Sequence, residues 1–358
     1  MKRIILTGGG TAGHVTPNIA LIPRLKKLGY DIHYIGSYNG IEKELIEPLD
    51  VTYHCISSGK LRRYFSLQNF TDPFRVLKGF GEANKIIKKV QPNVLFSKGG
   101  FVSVPAVVAA KRQRIPAILH ESDLTPGLAN KLTLPFAQKV CCNFPETYDH
   151  LPPKKALLSG LPIRSDLLTG DKEKAKALCG FSEHKPVLLV VGGSLGAASI
   201  NQALRSALTP LLQHFQIIHV CGKGKLEERL QNTPGYVQFE YLHEKLKDMF
   251  ALADVILSRA GANAIYEFLA LQKASLLIPL SANASRGDQI LNARSFEKQG
   301  YSKVLLEEDL NDETLIKALL DLYENRENYV QAIKKSRQQN ATEIIVTLIE
   351  EYANKKTT

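Results

Sequence analysis

Two glycine-rich turns, Gly8-Gly9-Gly10-Thr11-Ala12-Gly13-His14 and Gly192-Gly193-Ser194-Leu195-Gly196-Ala197, stand about half a chain apart. Each follows a short apolar run, Arg3–Thr7 (RIILT) and Val187–Val191 (VLLVV), and each leads into an amphipathic stretch with helical spacing. A strand that feeds a glycine turn and then a helix presents free backbone N–H groups and the positive end of the helix to an anion. Two such units in one chain predict two α/β domains facing each other across a cleft, with a phosphate-bearing ligand between them.

The rest of the chain agrees with this division. In the first half, strands are predicted at Arg3–Thr7, Asp31–Gly36, Thr52–Ile56, Val94–Ser97, Ala117–His120 and Lys139–Cys142, mostly with helices between them. The second half repeats the scheme at Val187–Val191, Ile217–Cys221, Val237–Glu240, Val255–Ser258, Ser275–Pro279 and Lys303–Leu306. Wholly apolar strands alternating with helices indicate parallel sheets covered on both faces. The Gly/Pro-marked break at Ser159-Gly160-Leu161-Pro162-Ile163-Arg164 reads as the hinge. It divides the chain into a first domain of residues 1–162 and a second of residues 163–339. Beyond Asn311 the pattern turns helical. Glu327–Asn354 is expected to pack back on the first domain, with residues 340–358 as the C-terminal helix.

Length and composition fit two soluble cores: 358 residues, 44% hydrophobic and 23% charged. No apolar run reaches the roughly 18 residues of a membrane span. No charged-then-apolar leader opens the sequence, so secretion is not expected. The five cysteines, an odd number with Cys141 and Cys142 adjacent, suit buried thiols in a reducing compartment, and no Cys/His spacing resembles a zinc site. A net charge of +11 favours an anionic partner. Between Lys60 and Lys89 eight Lys/Arg stand against two acids, interleaved with Tyr64, Phe65, Phe70, Phe74, Leu77 and Phe80. That mixture suits an anionic membrane surface; a solvated helix with its rings turned inward would read the same way. With no RNA-binding aromatic signature and no helix-turn-helix, nucleic acid ranks lower.

Gly8, Gly10 and Gly13 formally fit G-x-G-x-x-G, but the second strand ends Tyr34-Ile35-Gly36-Ser37 without the acid that would hold an adenosine ribose. A nicotinamide cofactor is therefore not expected. His14 follows the turn at a helix start, where the positive helix end disfavours imidazolium and suits a neutral general base. A histidine bonded to local backbone is the plainer alternative. Lys98-Gly99-Gly100-Phe101 repeats the anion cradle, and His120-Glu121-Ser122-Asp123 sits just past a strand, where Asp123 or Thr125 could equally cap a helix. In the second half, Ser258-Arg259-Ala260-Gly261-Ala262 runs from a strand into a helix that carries Glu267, whose carboxylate could accept from a ribose diol. Asp288, Gln289 and Asn292 open the next helix with groups suited to sugar hydroxyls, or to capping. No D-x-D lies at a strand end, so a divalent ion is not expected to clamp a pyrophosphate; backbone N–H groups, helix ends and Arg164 would meet that charge instead.

Taken together, GGGTAGHVTPNIAL, SKGGFVSVPAVVAA, HESDLTPGLANK, GLPIR, GGSLGAASIN, SRAGANAIYEFLAL and DQILNA resemble glycosyltransferase family 28, in its peptidoglycan N-acetylglucosaminyltransferase branch, from about residue 3 to about residue 350. The resemblance implies a GT-B fold of two Rossmann-like domains and no cofactor or metal. It implies inverting transfer of N-acetylglucosamine from UDP-N-acetylglucosamine to the muramoyl C4 hydroxyl of undecaprenyl-pyrophosphoryl-N-acetylmuramoyl-pentapeptide (lipid I), giving lipid II. The enzyme would sit peripherally on the cytoplasmic face of the bacterial membrane, with other proteins of cell-wall synthesis and division as further partners. By resemblance, His14 would be the base, alone or with Glu121. Thr11, Ala12, Gly13 and Asp123 would lie beside the transferred sugar and diphosphate, and Gly99, Gly100 and Phe101 would face the acceptor. The donor would be held by Arg164, Ser194, Gly196, Asn201, His243, Ala262, Glu267, Asp288 and Gln289.

Some positions depart from the family pattern. Phe101 stands where Tyr is common, Ser122-Asp123 replaces a Gln-Asn pair, and Leu195 and Ala198 replace Gln and Arg. The donor diphosphate would then lean more on backbone than on side-chain charge. The rival readings are a UDP-N-acetylglucosamine 2-epimerase, another GT-B glycosyltransferase, and a non-catalytic nucleotide-sugar-binding partner of a membrane complex. The epimerase needs no lipid acceptor, and so leaves the basic-aromatic stretch without a purpose.

Overall fold

The computed structural model describes residues 1–59, 68–181, 185–193, 196–242, 244–282, 287–336 and 340–355, with backbone alone over 68–74. The chain forms two compact units, Met1–Arg164 with Asn340–Thr358, and Ser165–Gln339.

The first unit holds seven strands: β1 (Arg3–Thr7), β2 (Asp31–Ser37), β3 (Thr52–Ile56), β4 (Val94–Ser97), β5 (Ala117–Glu121), β6 (Lys139–Cys142) and β7 (Ala156–Leu158). Their order is β3-β2-β1-β4-β5-β6-β7, and every pairing is parallel. Successive residues of a strand point to opposite faces, and both faces are covered. Ile5, Leu95 and Leu119 join a core completed by Ala83 and Ile87 of the helix Gln68–Val90 and by Ala106 and Ala109 of Ser103–Arg112. Ile4, Phe96 and Ile118 join another, completed by Leu21 and Leu25 of Thr16–Lys27 and by Ile345 and Ile349 of Ala341–Asn354. This two-sided burial is why the strands read as unbroken apolar runs.

The second unit repeats the plan with β8 (Val187–Val191), β9 (Gln216–Val220), β10 (Tyr236–Phe239), β11 (Val255–Ser258), β12 (Ala274–Leu277) and β13 (Ser302–Val304), all parallel in the order β10-β9-β8-β11-β12-β13. β8 and β11 keep the ends read in the sequence, and the ends of the other four strands shift by one or two residues. The three-residue β7 was not anticipated, because it is too short to show a pattern. Helix Arg326–Lys334 stays with the second unit, burying Ile333, so the return to the first unit's core begins only with Ala341–Asn354.

Each order reverses direction once, between β1 and β4 in the first unit and between β8 and β11 in the second. The helices on either side of that point leave to opposite faces and open a crevice at the carboxyl ends of the strands, where sheets of this kind bind ligands. The glycine turns after β1, β4, β8 and β11 all lie at these two points.

Candidate functional site

In the first unit the turns after β1 and β4 touch. Gly100 has a φ of 82°, and a Cβ there would stand 2.2 Å from Gly9 O, so only glycine lets the two turns close on each other. A one-turn helix, Ala12–His14, follows the first turn and leads into Thr16–Lys27. Thr11 is exposed, and Ala12, Gly13 and His14 are half-buried.

The tautomer of His14 follows from its partners. Nδ1 lies 3.1 Å from Gly9 O and 3.1 Å from Thr11 Oγ1. A carbonyl only accepts, so Nδ1 carries the hydrogen and Nε2 keeps the lone pair. Burial first, and then the nearby Lys98 ammonium, lower the pKa of the ring to about 4, against the opposing pull of the Gly9 hydrogen bond and Glu42. The ring is thus neutral near pH 7 with a basic nitrogen to spare.

Two buried charges brace this crevice. Glu42, 1% exposed, accepts from Gly10 N (3.1 Å), Ser37 N (3.0 Å) and Ser37 Oγ (2.5 Å). Burial raises its pKa, but these hydrogen bonds outweigh it and hold the carboxyl below its ordinary value. The residue was missed in the sequence because it looks like an ordinary acid in the first turn of Ile41–Ile46. Lys98, also 1% exposed, donates from Nζ to Ser122 Oγ, and burial lowers its pKa to about 8 despite Glu121 and Asp123.

Glu121 turns inward at the end of β5. One oxygen accepts from Asp123 N (3.1 Å), the other from Gly127 N (2.8 Å) and Asn130 Nδ2 (2.8 Å). Gly127 is the N-cap of Leu128–Thr133 and makes no side-chain cap bond, so the carboxylate from the preceding strand serves that end, rather than Asp123 or Thr125. Burial raises the Glu121 pKa, partly offset by Asn130. His120 is fully buried, and its Nε2 donates to Gly160 O at 2.9 Å, tying β5 to the segment that ends at the half-buried Arg164. Gly99 lies beside the Asn130 amide, and Phe101 is half-buried behind the glycines.

In the second unit, Gly196 has a φ of 69° and packs so closely on Cys221 O that a Cβ would lie 2.1 Å from it. Asn201, on Ala198–Ser206, donates from Nδ2 to the same carbonyl at 2.9 Å. Ser194 and His243 lie outside the described residues. After β11, Gly261 caps the helix Ala262–Ala270, with Ala262 buried at its first position and Glu267 half-buried in its second turn. Asp288 and Gln289 are the first two residues of Asp288–Lys298, behind Gly287 as N-cap; Gln289 Oε1 accepts from Leu280 N at 3.0 Å. Asn292 is fully buried and donates from Nδ2 to Ala260 O in the turn after β11.

Arg259 and Glu307 link these turns, a role the sequence did not reveal. Arg259 donates to Ile278 O (3.2 Å), Pro279 O (3.3 Å) and Ser199 Oγ (2.8 Å) and pairs with Glu307, which accepts from Ser281 N at 3.0 Å. No group of three or more His, Cys, Asp or Glu able to hold a metal occurs among the described residues.

Comparison with known proteins identifies the framework. The glycosyltransferase family 28 N-terminal domain matches residues 4–142 and the family's C-terminal domain matches residues 187–348. A UDP-N-acetylglucosamine–N-acetylmuramyl-(pentapeptide) pyrophosphoryl-undecaprenol N-acetylglucosamine transferase of Lachnoclostridium phytofermentans is 61% identical over 98% of this chain and 99% of its own. The protein of the same name from Clostridium botulinum strain Hall is 58% identical over 98% and 99%. Among solved structures, Acinetobacter baumannii MurG superposes with a TM-score of 0.78 at 25% identity, covering 98% of this chain and 100% of that one. A UDP-GlcNAc 2-epimerase from Neisseria meningitidis, bound to UDP-GlcNAc, shares the fold at a TM-score of 0.70 and 15% identity, covering 98% and 100%. The fold is the two-domain α/β architecture of GT-B enzymes, and the chain belongs to glycosyltransferase family 28.

Proposed function

We propose that this chain transfers N-acetylglucosamine from UDP-N-acetylglucosamine to the muramoyl C4 hydroxyl of lipid I, forming lipid II for peptidoglycan synthesis. The observation that carries this reading is the 61% identity, over nearly the whole of both chains, with a transferase named for that donor and that acceptor. The epimerase reading has only a shared fold at 15% identity behind it.

In the reaction the C4 hydroxyl attacks the anomeric carbon, the bond from that carbon to the diphosphate oxygen breaks, and configuration inverts. The hydroxyl proton passes to His14 Nε2, the nitrogen left unprotonated by the Gly9 carbonyl on the other side of the ring. Such general-base help contributes about two to four orders of magnitude in rate. Glu121, its oxygens engaged by the loop that follows it, acts by holding that loop rather than by taking the proton. Thr11, Ala12 and Gly13 border the reacting sugar, with Asp123 beside them, and Gly99, Gly100 and Phe101 receive the acceptor.

The second unit holds the donor. Charge developing on the UDP leaving group meets backbone N–H groups around Gly193 and Gly196, the start of Ala198–Ser206, and Ala262 at a second helix start. Ser194, Asn201 and His243 complete that pocket. Glu267 accepts from the ribose diol, while Asp288 and Gln289 meet the sugar hydroxyls. The acceptor's polyprenyl tail is membrane-embedded, so the enzyme works at the cytoplasmic face. It docks there through the basic-aromatic stretch from Lys60 to Lys89, within reach of other cell-wall synthesis and division proteins.

Incubation with radiolabelled UDP-N-acetylglucosamine and a lipid I analogue tests the reading. Label should move into the lipid product with a β linkage and only when acceptor is present. Acceptor-independent release of N-acetylmannosamine and UDP would favour the epimerase instead.

A further inference from the structure

Behind the glycine turn of the second unit runs a buried polar chain in which the reaction assigns a part to Asn201 alone. Tyr236 on β10, His219 on β9 and Asn201 on the helix Ala198–Ser206 are all buried, His219 completely. Tyr236 Oη lies 2.8 Å from His219 Nδ1, and His219 Nε2 lies 3.0 Å from Asn201 Oδ1. The Asn201 amide ends on Cys221 O through Nδ2, at 2.9 Å. This is the carbonyl against which Gly196 packs.

The geometry fixes every hydrogen in the chain. Cys221 O can only accept, so the Asn201 NH2 faces it and Oδ1 faces the ring. Oδ1 can only accept, so His219 carries its hydrogen on Nε2, and Nδ1 accepts from the Tyr236 hydroxyl. Burial, and then the Arg205 guanidinium, keep the ring neutral, as this pattern requires. Arg205 itself is engaged by Lys225 O and Gln238 Oε1. The two ends of an amide have nearly the same shape. Without a donor at Nε2, Asn201 would leave a buried oxygen unpaired, and the side chain would lose the restraint that holds its NH2 on Cys221 O.

We propose that His219 is a positioning residue for the donor: it holds the Asn201 amide, which ties down the Cys221 carbonyl and so fixes Gly196, packed on that carbonyl, beside the diphosphate. The inference rests on the reading of the second unit as the UDP-sugar site. His219 touches neither substrate, and its effect reaches the diphosphate through the backbone.

Calorimetric binding of UDP to the wild-type full chain, His219→Leu, His219→Gln and Tyr236→Phe, with KM for both substrates, tests this. A folded His219→Leu should bind UDP about tenfold more weakly, with KM for UDP-N-acetylglucosamine rising in step and KM for a lipid I analogue unchanged. Glutamine, whose amide can again donate to Asn201, should restore UDP binding to within about threefold of wild type. Wild-type UDP affinity in a folded His219→Leu overturns the proposal. So does an equal loss toward both substrates that glutamine does not repair. If the leucine variant does not fold, Tyr236→Phe decides: it frees the ring to carry its hydrogen on Nδ1, so weaker UDP binding supports the relay and unchanged binding overturns it. Failure of the wild-type chain to bind UDP would instead refute the donor-site reading on which the proposal stands.

Discussion

At the scale of single residues, the proposed chemistry turns on His14, whose ring is held by the carbonyl of the turn it follows. Replacing it with alanine should lower kcat by about two to four orders of magnitude and leave KM for UDP-N-acetylglucosamine nearly unchanged. Near-full turnover in steady-state assays of that variant would remove His14 from the mechanism. The ring's low basicity, at a pKa of about 4, comes first from burial and then from Lys98. Taking away the Lys98 charge removes a nearby cation that disfavours imidazolium, so the pKa rises. In Lys98→Met the acid limb of the kcat/KM profile should therefore move to higher pH, with activity lost earlier as the medium is acidified. A limb that stays in place would show that the ammonium does not act on the base. Neither Lys98 nor Glu42 could be recognised as a buried charge from sequence. Local spacing writes both as surface residues, and only the neighbouring strands that enclose them decide otherwise.

At the scale of elements, strand–turn–helix units were legible because the central strands are buried on both faces and the turns after β1, β4, β8 and β11 carry glycine. The capping of Leu128–Thr133 was not legible, since the carboxylate that serves it comes from β5, outside the helix and its flanking residues. The helix Gln68–Val90 shows where composition misleads. Its basic and aromatic residues read alike as a membrane face, yet Phe80 packs on the core of the first unit while Leu77 is 66% exposed. The face proposed to enter lipid therefore includes Leu77 and excludes Phe80; Tyr64 and Phe65 lie outside the described residues, as do the side chains of Phe70 and Phe74. Changing Phe70, Phe74 and Leu77 together to serine should reduce sedimentation with phosphatidylglycerol vesicles about tenfold or more and spare turnover of a short-chain soluble acceptor. Undiminished vesicle binding would move the docking surface elsewhere.

At the scale of the whole molecule, both units place their glycine turns where the strand order reverses, the position at which sheets of this kind bind ligands. The family, the alternation and the division into two α/β units were readable before any coordinates. The bracing of the second site by Arg259 and Glu307, and by His219 behind Asn201, was not, because those partners are separated in sequence and meet only through the sheet. In the proposed reaction glycosyl transfer depends on the acceptor, and peptide N–H groups and helix ends, rather than a bound divalent ion, stabilise the departing diphosphate. The initial rate of UDP release, measured with and without a lipid I analogue in excess EDTA, tests it most directly. Release should require the analogue and keep its rate in the chelator. Release without acceptor, or a rate that collapses in EDTA and returns with added magnesium, would contradict it.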